Sequence, residues 1–188
     1  SYYERMRIDT SGNVQLSTSN TSILNSSGRK ILNQTGSILQ VVNAALTTCT
    51  STSSTSFVDT GLTVSITPSS TSSKILVMLD MKGGSSTGCQ ISGILYRGAS
   101  PIYTGATSGS SGLVSTASVY TGSAVSSGQL SAFYLDSPAT TSAITYAIKV
   151  GARDQGGFYI NRPKGDDDNT TWYRVKGVTA ITLMEIKG

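Results

Sequence analysis

The chain has no histidine and only ten acidic residues among its 188. That removes Ser-His-Asp and Cys-His nucleophilic arrangements, His-based zinc sites and the usual general base near neutral pH. The one acidic cluster, Asp166-Asp167-Asp168, precedes Asn169-Thr170-Thr171-Trp172-Tyr173-Arg174. A calcium loop needs oxygen ligands at alternating positions, a Gly turn and a distant bidentate carboxylate. Here the acids are consecutive, their side chains would point apart, and a solvated loop fits better. A glycosidase pair could be drawn from Asp136, Asp154 or this cluster, with carboxylates about 5 to 9 Å apart, but no spacing brings two of them together. The expectation is a protein with no catalytic residues, no metal and no cofactor: a non-enzyme.

Polar-tipped aromatics are the more useful signal. Tyr159, Asn161 and Arg162 follow one another closely, and Asp166, Asp167, Asp168, Trp172, Tyr173 and Arg174 lie just beyond. Aromatic faces pack on sugar C–H surfaces while Asp, Asn and Arg read hydroxyls, and protein hot spots use Trp, Tyr and Arg. These nine residues are the candidate receptor-binding set; Trp172 fits a core position equally well. The net charge of +4 is scattered in pairs such as Arg5/Arg7 and Arg162/Lys164, outside any nucleic-acid signature, so no nucleic-acid partner is expected. No run is long and apolar enough to insert into a membrane, and Ser1 to Arg5 lacks the order of a signal peptide. Cys49 and Cys89 read as reduced thiols rather than a bridge. The Asn-x-Ser/Thr matches at Asn20, Asn25, Asn33 and Asn169 are what chance supplies in a chain that is about 30% Ser and Thr.

That composition, with 13% charged residues against about 25% in ordinary domains, suits extended β structure, in which Thr lines pleats and Ser fills turns. Residues 1-45 open with a recurring phrase: apolar residue, Asn or Asp, then Gly. It occurs at Ile8-Asp9-Thr10-Ser11-Gly12, at Ile23-Leu24-Asn25-Ser26-Ser27-Gly28 and at Ile31-Leu32-Asn33-Gln34-Thr35-Gly36. Each copy makes a short strand and a tight turn. Stacked, and above all wound with two further chains, such units form a fibrous shaft; the other reading is a Ser/Asn-rich linker. Gln40–Leu46 leads into the Ser/Thr run 47–56, a linker or an exposed edge strand.

From Phe57 the pattern alternates with period two, which predicts strands. Leu62, Val64 and Ile66 share one face. Ile75, Val77, Leu79 and Met81 oppose Leu76 and Met78, which predicts a central strand covered on both sides. Further strands are expected at Gln90–Tyr96, Gly112–Tyr120, Gln129–Leu135, Ala143–Val150, Gly157–Asn161, Thr171–Lys176 and Thr179–Lys187, with Gly83-Gly84-Ser85-Ser86 among the turns. Residues 46-188 thus read as an antiparallel β-sandwich, jelly-roll-like, with no helix.

Glu4-Arg5-Met6-Arg7-Ile8-Asp9-Thr10-Ser11-Gly12-Asn13-Val14 resembles a phrase near the distal shaft of phage tail fibres and spikes. Ser73-Lys74-Ile75-Leu76-Val77-Met78, Leu135-Asp136-Ser137-Pro138 and Ile181-Thr182-Leu183-Met184-Glu185-Ile186 resemble a C-terminal β domain of phage fibre proteins. The resemblance implies a homotrimeric virion protein, assembled in the host cytoplasm, with an intertwined shaft, a β-sandwich head and a host-surface glycan or protein as partner. Lacking an initiator Met, the chain reads as part of a longer polypeptide whose upstream region joins other virion proteins. Gln15-Leu16-Ser17 replaces the family's usual continuation toward Gly-Ile-Gly, so no self-cleaving chaperone is implied. A capsid-attached head fibre or decoration protein is the alternative; a glycan-cleaving tailspike fragment is the rival of another class.

Overall fold

The computed structural model describes residues 6–8, 10, 14–16, 35–85, 89–106, 115–122, 124, 126–152, 156–165 and 176–188. The chain divides into two units, Ser1–Ser37 and Ile38–Gly188. In the first, β1 (Met6–Ile8) pairs antiparallel with β2 (Val14–Leu16), with Ile8 opposite Val14. The hairpin spans the first copy of the repeated phrase. Gly36 of the third copy has φ 87°, the conformation for which its glycine is suited. Residues 17–34, which include the second copy, lie outside the described residues.

Among the described residues the second unit holds eleven strands and no helix. They are β3 (Ile38–Leu46), β4 (Thr50–Thr52), β5 (Val58–Ile66), β6 (Lys74–Ser85), β7 (Cys89–Arg97), β8 (Ser100–Ile102), β9 (Ala117–Thr121), β10 (Ser127–Asp136), β11 (Ile144–Ala152), β12 (Phe158–Ile160) and β13 (Thr179–Ile186). All pairings are antiparallel.

Several strands are collinear pieces of one line. One flank of β6 carries β13 along residues 74–80 and β12 along 83–85, and its other flank is filled by β10. Beyond them β3 pairs with β13 and β4 with β12. The first sheet therefore has four lines: β3/β4, β13/β12, β6 and β10. In the second sheet β11 lies between β5 and β7, and the far side of β7 carries β8 and β9 end to end.

Both inner faces feed one core. Ile75, Val77, Leu79, Met81, Leu130, Phe158, Ile160, Ile181 and Leu183 from the first sheet meet Leu62, Val64, Ile66, Ile91, Leu95, Tyr146, Ile148 and Val150 from the second. These are the alternating positions of each run, because successive side chains in a strand point to opposite faces. Along the sides β3 lies against β5, and β10 against β9.

The structure bears on four expectations. The unit boundary falls at 37/38 rather than 45/46, because β3 pairs along its length with β13. Gly83 and Gly84 are not a turn: β6 continues through Ser85, and a Cβ on Gly83 would fall inside the ring of Phe158. In the Ser/Thr run, Thr50–Thr52 forms the short edge strand β4, the second of the two readings. The expected strand Gly112–Tyr120 starts at Ala117, its first residues lying outside the described set, as do residues 171–175 of the expected strand Thr171–Lys176. The remaining expected strands lie within one or two residues of β7, β10, β11, β12 and β13.

Candidate functional site

The candidate site forms where the line of β12 and β13 is interrupted. Residues 161–165 leave the sheet after β12 and residues 176–178 lead back to β13, two strands that flank the same neighbour. Asn161 makes the break at φ 63°, a left-handed conformation that Asn tolerates better than most residues. Its backbone N–H donates to the Lys82 carbonyl (2.9 Å) and its carbonyl accepts from Gly177 N–H (2.8 Å). Its amide Nδ2 donates to the carbonyls of Leu46 (2.6 Å) and Thr48 (3.0 Å). Its Oδ1 accepts from the Thr179 hydroxyl (2.7 Å), whose oxygen in turn accepts from Lys82 N–H. Asn161 is fully buried. It was expected to contact a receptor; instead its polar atoms are spent on closing the gap between β12 and β13, since buried polar groups must find partners.

Tyr159 and Arg162 flank this residue. The guanidinium carbon of Arg162 lies 5.5 Å from the centre of the half-buried Tyr159 ring, a cation–π contact. A depression of about 210 Å³ beside them is lined by Lys82, Ser127, Asn161, Lys176 and Gly177. Lys82 Nζ donates to Gln129 Oε1. With two lysines and a serine among the lining residues, the depression favours an anionic or hydroxyl-rich ligand. The two lysines and Ser127 were not among the expected residues; they come from three separate elements, and only the pairing of β6 with β10 and β12 brings them together. Asp166, Asp167, Asp168, Trp172, Tyr173 and Arg174 belong to the same segment but lie outside the described residues. Among the described residues no three His, Cys, Asp or Glu side chains gather as a metal site.

The carboxylates inside the fold have other employment. Asp136 is buried and accepts from Arg97 Nη1 (2.8 and 2.9 Å), from Tyr146 Oη (2.6 Å) and from Ser137 N–H (2.9 Å). It ties β10 of one sheet to β7 and β11 of the other. Burial, reinforced by the bond to Asp136, pushes the Tyr146 hydroxyl far above its ordinary range, so it stays protonated. Asp154, the other carboxylate considered for glycosidase chemistry, lies outside the described residues.

Glu185 is buried beside Asp136's row, both facing Ile75. Its Oε1 accepts from Ser69 N–H (2.7 Å), Ser69 Oγ (2.6 Å) and Ser73 Oγ (2.6 Å), and its Oε2 from Gln40 Nε2 (2.6 Å). Burial alone would raise this carboxyl, but the hydrogen bonds outweigh it and hold the group at about 2. The cluster locks the connection between β5 and β6. Cys49, half-buried, and Cys89, buried, are not joined in a disulfide. Among the described residues no helix is long and apolar enough to cross a membrane. No protein-family model and no curated protein sequence matches the chain.

Proposed function

We propose that the chain is the distal part of a phage tail fibre, a homotrimer whose head attaches the virion to a glycan or protein on the host surface. The observation that carries the reading is the winding of the head. Its lines run β3/β4, β13/β12, β6, β10 in one sheet and β5, β11, β7, β8/β9 in the other, which is the strand order of a jelly roll. A rigid head of this kind, joined directly to a unit that carries the repeated shaft phrase, suits a fibre tip better than an enzyme. The receptor surface assigned to it is the segment between β12 and β13, with Tyr159 and Arg162 at its start, the Lys82/Lys176 depression at its foot, and Asp166, Asp167, Asp168, Trp172, Tyr173 and Arg174 along it. Asn161 is its anchor rather than a contact.

Single contacts of this kind are weak. Three copies on one fibre multiply a millimolar site by on the order of 10² to 10⁴ through avidity. The test is adsorption of the intact chain to host cells beside Trp172→Ala and a variant with Asp166, Asp167 and Asp168 all changed to Ser. Loss of adsorption in either variant at unchanged oligomeric state is expected, and undiminished adsorption in both would remove this segment as the receptor site.

A further inference from the structure

The outward faces of the two sheets are unlike each other. That of the second sheet is largely polar and internally paired, with Tyr120 its one large ring left 65% exposed: Ser65 bonds Thr145, Lys149 pairs with Asp59 and lies over Tyr96, and Gln90 bonds Ser118. The first sheet's outward face is apolar. One row runs straight across its four lines, Val41 opposite Met184, Met184 opposite Leu76 and Leu76 opposite Leu135. In the next row Met78 lies opposite Phe133, and Ile38 stands beside Ile186 at the end of β3. Phe133 is 62% exposed, Ile38 56%, Val41 54% and Leu135 50%. In a chain this rich in Ser and Thr, four exposed large apolar residues on one sheet face call for a cover.

We infer that this face, centred on Val41, Leu76, Phe133, Leu135 and Met184, is where copies of the chain pack against one another. The inference rests on the trimeric reading above and names the surface that makes the trimer. Size is the first argument. Four lines about 4.8 Å apart and about six residues long at about 3.4 Å each cover roughly 400 Å² in plan. That is about half of the roughly 800 Å² per partner in a stable interface, and Asn43, Thr182, Ser131 and Gln129 on the same face supply a polar rim around the apolar centre.

Charge is the second. Between Lys74 and Asp80 the outward positions of β6 are Leu76 and Met78, and those of β13 are Ala180, Thr182, Met184 and Ile186. Lys74 and Asp80 bound the face on β6 and no charge stands between them to steer a foreign partner, whereas interfaces formed between copies made together are the apolar class. A hollow on this face, about 340 Å³ beside Met78, Asp80, Phe133 and Thr182, is open rather than an enclosing ligand pocket. Connectivity is the third: β3, with Ile38 and Val41, begins directly after Ser37, so in sequence this face adjoins the repeated phrase of the proposed shaft.

The test is the mass of the intact chain in solution, by light scattering at micromolar concentration, beside a Phe133→Lys/Leu135→Lys double variant and a Thr63→Lys/Thr145→Lys control on the opposite sheet. The expected result is three times 19.5 kDa for the unmodified chain and the control, and a threefold lower mass with an unchanged far-ultraviolet spectrum for the first variant. A trimeric first variant would overturn the surface and leave the trimer standing; a monomeric unmodified chain would overturn both. A second measurement needs no variant: peroxide oxidation of Met184 and Met78 in the unmodified chain should run at least tenfold slower than that of free methionine. Equal rates in a chain that light scattering shows to be trimeric would place the interface elsewhere.

Discussion

Glu185→Gln isolates the contribution of one buried carboxylate to the stability of the head. The side chain accepts four hydrogen bonds from Ser69, Ser73 and Gln40, and an amide in its place would turn an NH₂ group toward one of those donors. The depression of the carboxyl from its ordinary 4.5 to about 2 corresponds to about 3 kcal/mol at 1.36 kcal/mol per unit. For a folded unit of this size that equals a loss of roughly 6 to 12 °C in melting temperature at neutral pH. The sign fixes the window: a carboxyl lowered in the folded state stabilises fully above about pH 4.5, and that stabilisation is lost as the pH falls toward 2. Urea unfolding followed at pH 7, 5, 3.5 and 2.5 should show the unmodified chain and Glu185→Gln about 3 kcal/mol apart at the first two values and converging at the last. A gap that stays constant down to pH 2.5 would falsify the assignment of the loss to ionisation, and no gap at pH 7 would show that the hydrogen bonds merely replace equivalent ones to water.

Two further substitutions probe the remaining polar clusters. Asn161→Gly keeps the left-handed backbone but removes the three side-chain hydrogen bonds to Leu46, Thr48 and Thr179; a loss of about 2 to 4 kcal/mol in urea unfolding is expected, with earlier amide exchange at Lys82 and Gly177, and a change below 0.5 kcal/mol would contradict the role given to this residue. Tyr146→Phe should cost about 1 to 2 kcal/mol by removing one partner of the buried Asp136; spectrophotometric titrations of the unmodified chain and of this variant should count the same number of tyrosines ionising below pH 12, and the argument fails if the variant shows one fewer.

What the sequence conveyed was face and period. Leu62 to Ile66, Ile75 to Met81 and Ile144 to Val150 alternate cleanly, and their apolar sets are the ones that face the core. The central position of β6 within its sheet was legible too, but the cover expected over both its faces was not met among the described residues, where Leu76 and Met78 are half-buried on the outward face. β3 escaped because Ala44 and Ala45 blur its alternation; only its pairing with β13 makes it part of the head. Gly83-Gly84 misled for a related reason, since glycine serves close packing as readily as turning, and the ring of Phe158 that demands it comes from a strand more than seventy residues away. The Ile-Asn-Arg-Pro order at 160–163 did hold a turn signal, but an Asn beside Tyr and Arg reads just as well as a surface contact. That β12 and β13 continue one line depends on long-range pairing, which no local pattern encodes.

The interrupted strand makes the head modular in evolution. With its backbone bonds closed at Asn161, Gly177 and Thr179, the sheet is insulated from the sequence that runs between them. Closing a loop twice as long costs only about 0.6 kcal/mol more, so residues there can be exchanged, lengthened or borrowed while the framework keeps its register. If the proposed function holds, host range would drift by recombination at one junction. The same junction offers a defined graft point for a foreign recognition sequence: the donor segment needs only to begin after an Asn in a left-handed turn and to return its chain to the position of Gly177.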